Sequence, residues 1–175
     1  LKAFAARLNA ARNPVLIYGG DIARIGRTAW DSGVAFAEKY NAPVWQPPLC
    51  ERATFPQTHP LYAGELPAAI GPLSDALKGH DLIVVVGAPV FRYYPYVPGQ
   101  YLPDGAELIQ VTDDPDEAAK AVVGDSLVSD AGLFLDAILP LVTARPRTDQ
   151  APLRAAPQAP GAELPLTPAA VFATL

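Results

Sequence analysis

Two patterns of apolar residues alternate along this chain. Short runs are apolar at every position: Val15-Leu16-Ile17-Tyr18, Pro43-Val44-Trp45 and Leu82-Ile83-Val84-Val85-Val86. Between them, apolar residues return every three or four positions. The first pattern describes strands buried on both faces, the second amphipathic helices. The spacing predicts helices over about 1–11 (Phe4, Leu8, Ala11), 30–40 (Trp30, Gly33, Val34, Ala37), 69–78 (Ile70, Leu73, Leu77), 116–121, and from 131 onward with Asp130 as its cap. Further strands are predicted at 107–112 and 126–128. Gly19-Gly20 reads as a tight turn after the first strand, and 47–67 and 89–103 read mostly as loop.

Strands apolar on both faces, each followed by a helix, belong to a parallel sheet covered on both sides. With right-handed crossovers this is an α/β fold, doubly wound and Rossmann-like. The pattern fills residues 1–142. From 143 to 166 the composition turns to Pro, Ala, Arg and Gln with little periodicity, which reads as an extended and mobile linker. Thr167-Pro168 then reads as the cap and first residue of a new helix. Residues 167–175 are expected to be the start of a further domain, so the chain reads as a piece of a longer protein.

Composition narrows the partners. Half of the 175 residues are hydrophobic, and 18 acidic against 13 basic side chains give a net charge of −5 with no basic run. That argues against nucleic-acid binding, which needs clustered Lys and Arg. No apolar run approaches the ~20 residues that cross a bilayer. The lone Cys50 excludes an internal disulfide and suits a reducing compartment, so a cytoplasmic location is expected.

Ligands of a doubly wound sheet bind beyond the carboxyl ends of its strands. The loops there are Gly19-Gly20-Asp21, Gln46 to Arg52, Gly87 to Tyr96 and Thr112 to Pro115. The first lacks the full G-x-G-x-x-G spacing and carries Asp21 where a pyrophosphate would sit. A Gly-Gly turn leaving the sheet is the preferred reading over a dinucleotide site. Asp113 and Asp114, before Pro115, read as helix-capping residues, with a ribose contact as the alternative. His80 reads as a helix-end residue and His59 as a structural loop residue. Neither has a metal-ligand pattern around it. The unusual segment is Phe91-Arg92-Tyr93-Tyr94-Pro95-Tyr96-Val97-Pro98-Gly99-Gln100-Tyr101, where aromatics crowd a loop that would ordinarily carry turn residues. These side chains either pack the loop or cover a cleft or a neighbouring domain.

Gly87-Ala88-Pro89-Val90-Phe91-Arg92-Tyr93, with Pro98-Gly99-Gln100-Tyr101-Leu102 behind it, resembles the thiamine-diphosphate-dependent 2-oxo-acid decarboxylase family, and most of all its benzoylformate decarboxylases. Asn41-Ala42-Pro43-Val44-Trp45, Phe55-Pro56, His59-Pro60, Gly79-His80-Asp81 and Val111-Thr112-Asp113-Asp114-Pro115 are similar to the same family. The resemblance implies the central domain of a three-domain enzyme, inactive by itself. The absent pyrimidine- and diphosphate-binding domains, at an interface between two subunits, would hold thiamine diphosphate and Mg²⁺. It further implies a homo-oligomer, dimer or tetramer, and a small-molecule 2-oxo acid as substrate. The reaction implied is attack of the thiazolium carbanion on the 2-oxo acid, loss of CO₂ and release of an aldehyde, with the cofactor as electron sink.

In some relatives this domain binds FAD or ADP; in benzoylformate decarboxylases it carries no cofactor, and none is expected here. Flavin-binding relatives carry a Gly-Met-His-Gly-like stretch where this chain has Leu66-Pro67-Ala68-Ala69. A nucleotide-binding regulatory module, a purely structural domain, and a carboligase or lyase with another substrate stand as the alternatives. The resemblance offers one catalytic position, Tyr94, where benzoylformate decarboxylases have a histidine. Tyrosine donates hydrogen bonds, but its ordinary pKa of about 10 makes it a poor proton shuttle near neutrality, where histidine titrates.

Overall fold

The computed structural model describes residues 1–94, 96–146 and 167–172, with the side chains of 169 and 172 left aside. Six strands form one parallel sheet: β1 (Pro14–Tyr18), β2 (Val44–Gln46), β3 (Tyr62–Glu65), β4 (Leu82–Val86), β5 (Glu107–Thr112) and β6 (Asp125–Val128). Their order is β3-β2-β1-β4-β5-β6. Successive strands run outward from β1 to β3, then the chain returns to the centre and runs outward the other way, which is the doubly wound order. The two central strands are buried at all ten positions and pair in register from Pro14 opposite Leu82 to Tyr18 opposite Val86.

Helices α1 (Lys2–Ala10), α2 (Gly20–Ile25), α3 (Arg27–Tyr40) and α6 (Ala131–Ile138) cover one face. Their Leu8, Ile22, Phe36, Tyr40, Phe134 and Leu135 close over Leu16, Tyr18, Val84, Val86, Ile109 and Val111. The other face carries α4 (Ile70–Ala76), the chain leaving β4, and the neighbourhood of α5 (Pro115–Lys120). There Leu73, Leu77, Val90 and Phe91 pack on Val15, Ile17, Ile83, Val85 and Leu108. Among the described residues no helix is long and apolar enough to cross a membrane.

The predicted helices and strands stand within a few residues of their expected places, with two additions. The Gly-Gly turn opens a short helix, α2, with Gly19 as its cap and Gly20 as its first residue. The stretch read as loop contains β3, paired to β2 with a register shift at Val44/Trp45. Past Val142 the chain stays fastened. Thr143 N–H donates to Asn9 Oδ1 at 2.8 Å, Arg145 N–H to Lys39 O at 2.9 Å, and Asn41 Nδ2 to Pro146 O at 2.8 Å. The Arg145 guanidinium lies 4.5 Å from the centre of the Tyr40 ring and donates to the carbonyls of Ala11 and Arg12, just past the end of α1. Residues 147–166, expected to be a mobile linker, lie outside the described residues. Beyond them α7 (Pro168–Phe172) begins as predicted, with Thr167 Oγ1 accepting from Ala170 N–H at 3.2 Å.

Candidate functional site

The strand order reverses between β1 and β4, and a crevice of about 720 Å³ opens there beyond the carboxyl ends of the strands. Its walls come from the four loops singled out in the sequence, with Asp21, Arg24, Cys50, Arg52, Arg92 and Asp113 among them. The chain leaving β1 is drawn tightly against the chain leaving β4. Gly19 N–H donates to Val86 O at 2.9 Å and Asp21 N–H to Gly87 O at 3.2 Å. A Cβ on Gly19 would stand 2.1 Å from Gly87 O, so only glycine fits. The next N–H, of Ile22, donates to Gly19 O. Three N–H groups of the turn that would face a pyrophosphate, those of Gly19, Asp21 and Ile22, therefore already have main-chain partners.

The charges at the mouth of the crevice compensate one another. Arg24 donates to Asp113 at 2.7 Å and to Asp21 at 3.2 Å, and these bonds, the one to Asp113 first, raise its pKa. Asp113 thus pairs with an arginine instead of capping a helix. The sequence could not show Arg24 approaching it from 89 positions away. Asp114 does cap α5, accepting from Asp116 and Glu117 N–H. Among the described residues the lining holds three arginines and five carboxylates (Asp21, Glu51, Asp113, Asp114, Glu117), a net of −2. Among the described residues no three His, Cys, Asp or Glu side chains stand where they could hold a metal ion. A net negative lining disfavours a diphosphate.

Both histidines have structural partners. His59 Nδ1 accepts from Leu61 N–H at 3.1 Å, its Nε2 stands 3.3 Å from Glu38 Oε1, and its ring meets Phe55 edge-on at 4.9 Å. His80 is not on a helix end: α4 stops at Ala76, and His80 sits in the turn beyond with Nδ1 3.0 Å from Asn13 O.

The aromatic loop divides by side-chain direction, part of it packed on the domain and part exposed. Phe91 is buried, and Phe91, Tyr93 and Tyr101 form a chain of ring contacts at 6.3 and 5.9 Å. Burial raises the Tyr93 pKa to about 12, and its buried hydroxyl has no hydrogen-bond partner among the described residues. Arg92 turns to the crevice. Tyr94 and Tyr96 are each 76% exposed, and the Tyr94 N–H donates to Ala68 O. Leu66-Pro67-Ala68-Ala69 is therefore part of the seat of this loop. Sequence reasoning overlooked Gln110, fully buried on β5. Its Nε2 donates to Ala88 O at 3.0 Å where the loop begins, and its Oε1 accepts from Ser126 Oγ at 2.7 Å. The available signal was a lone polar residue within Leu108-Ile109-Gln110-Val111.

A doubly wound sheet whose switch-point turn is closed, and whose β4 exit carries an aromatic loop, matches one family along most of its length. The thiamine pyrophosphate enzyme central-domain family matches residues 1–138, and this chain belongs to it. Benzoylformate decarboxylase of Pseudomonas aeruginosa is 49% identical over 168 residues, covering 95% of this chain and 31% of the relative. The crystal structure of benzoylformate decarboxylase from Polynucleobacter necessarius superposes with a TM-score of 0.89 at 51% identity, over 98% of this chain and 32% of that one. A thiamine-diphosphate-dependent 4-hydroxybenzoylformate decarboxylase of Rhodococcus jostii gives 0.86 at 44%, over 98% and 32%. This chain thus spans about a third of the length of its relatives, and is a central domain of a thiamine-diphosphate-dependent enzyme.

Proposed function

We propose that the full-length protein decarboxylates aryl 2-oxo acids of the benzoylformate type, and that this chain serves it as spacer and as carrier of one active-site loop. Thiamine diphosphate, held by domains outside this chain, supplies the electron sink. The observation that carries the reading is the division of the aromatic loop. Phe91 and Tyr93 anchor it to the domain, while Tyr94 and Tyr96 project from it. An anchored loop with exposed aromatic tips is built to meet something beyond its own domain. The relatives named for benzoylformate and 4-hydroxybenzoylformate share an aryl ring next to the 2-oxo acid. By the resemblance drawn from the sequence, Tyr94 takes the place of the benzoylformate decarboxylases' loop histidine. Its phenol donates a hydrogen bond to a carboxylate or carbonyl oxygen and orients it, leaving proton shuttling to other groups.

The test is CO₂ release by the full-length protein with thiamine diphosphate and Mg²⁺. Benzoylformate and 4-hydroxybenzoylformate should exceed pyruvate in kcat/KM by at least about tenfold. Tyr94→Phe should lower kcat/KM measurably, but by less than about 10²-fold, the low end for a general acid. Preference for pyruvate, or no CO₂ from any of the three, would reject the substrate class. A loss well above about 10²-fold in Tyr94→Phe would make the phenol itself the acid.

A further inference from the structure

Two glycines face each other where the aromatic loop returns over the first turn of α4. A Cβ on Gly99 would stand 2.6 Å from Gly71 Cα and 2.9 Å from Gly71 N. One on Gly71 would stand 3.0 Å from the Pro98 carbonyl oxygen. Neither glycine has a positive φ, so close approach, not left-handed backbone, excludes a side chain at Gly99 and crowds one at Gly71. Main-chain bonds reinforce the contact. Gly71 N–H donates to Val97 O at 3.4 Å, and Tyr94 N–H donates to Ala68 O. Among the described residues no side chain caps α4, and the Val97 carbonyl takes one of its open first-turn donors. Tyr94 therefore lies between two anchors, buried Phe91 and half-buried Tyr93 on one side and the Gly71–Gly99 contact on the other.

We propose that Gly71 and Gly99 are positioning residues, whose contact sets where the Tyr94 hydroxyl stands in the complete enzyme. The inference rests on the reading that Tyr94 faces the substrate. A methyl group at 99 meets backbone, which cannot swing aside as a side chain does. The loop must then lift from α4, and Tyr94 moves with it.

The experiment uses the full-length enzyme with Gly99→Ala, Gly71→Ala, Tyr94→Phe and the double variant Tyr94→Phe/Gly99→Ala. Benzoylformate kinetics are paired with amide hydrogen exchange at Tyr94 and Gly71. Gly99→Ala should speed exchange at both amides by at least about tenfold while the β4 amides are unchanged. It should also lower kcat by about the factor that Tyr94→Phe costs. Gly71→Ala should act in the same direction and more weakly, since a 3.0 Å contact with one oxygen asks for a smaller shift; it keeps the test open should Gly99→Ala not fold. In the double variant Gly99→Ala should add no more than about twofold, because a residue acting only through Tyr94 has nothing left to lose. A residue that merely stabilised the domain would add its full factor. Unchanged exchange at Tyr94 and Gly71 overturns the positioning role while leaving the Tyr94 reading intact. Faster exchange with losses that multiply in the double variant also overturns it. Tyr94→Phe without effect on kcat or KM removes the Tyr94 reading, and the inference with it.

Discussion

The carboxylate of Asp81 stands at the entry to β4 and accepts from two consecutive main-chain donors, Arg12 N–H at 2.6 Å and Asn13 N–H at 2.9 Å. These donors belong to the connection between α1 and β1, so one side chain ties the first helix to the centre of the sheet. Burial pushes its pKa up, but the backbone bonds outweigh that and hold it below the usual carboxylate range. A depressed folded-state pKa gives stability that is present above the unfolded value of about 4 and lost as pH falls through the folded one. Asp81→Asn keeps one acceptor and removes the charge, and should cost about 1 kcal/mol at pH 7. Urea unfolding of wild type and variant should show that difference shrinking toward zero below about pH 4. A difference that persists in acid would assign the effect to packing.

Among the elements, the exit of β4 depends most on a contact from its neighbour. Gln110 on β5 joins Ala88 O at the start of the aromatic loop to Ser126 on β6, and both groups of its amide have partners. Gln110→Leu would leave the Ala88 carbonyl and the Ser126 hydroxyl without it, at about 1–3 kcal/mol. Ser126→Ala alone should cost less, and the pair should cost less than the sum, with a coupling of at least about 0.5 kcal/mol. Additive urea midpoints would mean that the network does not act as a unit. Periodicity revealed most of the elements that frame this network, because Leu82–Val86 and residues 107–112 are long enough to show it. It could not reveal β3, whose Tyr62-Ala63-Gly64-Glu65 is a four-residue edge strand with a mixed burial pattern. Nor could it reveal α2, six residues long and opened by glycines that read as a turn. Phe91 and Tyr94 were equally conspicuous in the sequence. Only the fold separates them, one into the core and the other outward.

At the scale of the whole molecule, the question is whether the crevice between the two halves of the sheet takes a nucleotide. The position favours it: the strand order reverses there, as in dinucleotide-binding sheets. The chemistry opposes it on two counts. The N–H groups of Gly19, Asp21 and Ile22 donate to main-chain carbonyls, and the lining is net negative, with Arg24 occupied by Asp21 and Asp113. Calorimetry with ADP and with FAD should therefore give dissociation constants weaker than about 10 μM, or less than about 7 kcal/mol of binding free energy. Tighter binding would make a nucleotide-regulated module the leading account of the domain. Asp21→Asn/Asp113→Asn separates the two causes, since it frees Arg24 and removes two negative charges while the turn keeps its internal bonds. If closure of the turn decides, the double variant still binds neither nucleotide tighter than about 10 μM. If it gains ADP, the geometry of the turn tolerates a pyrophosphate, and charge alone keeps the crevice free of it.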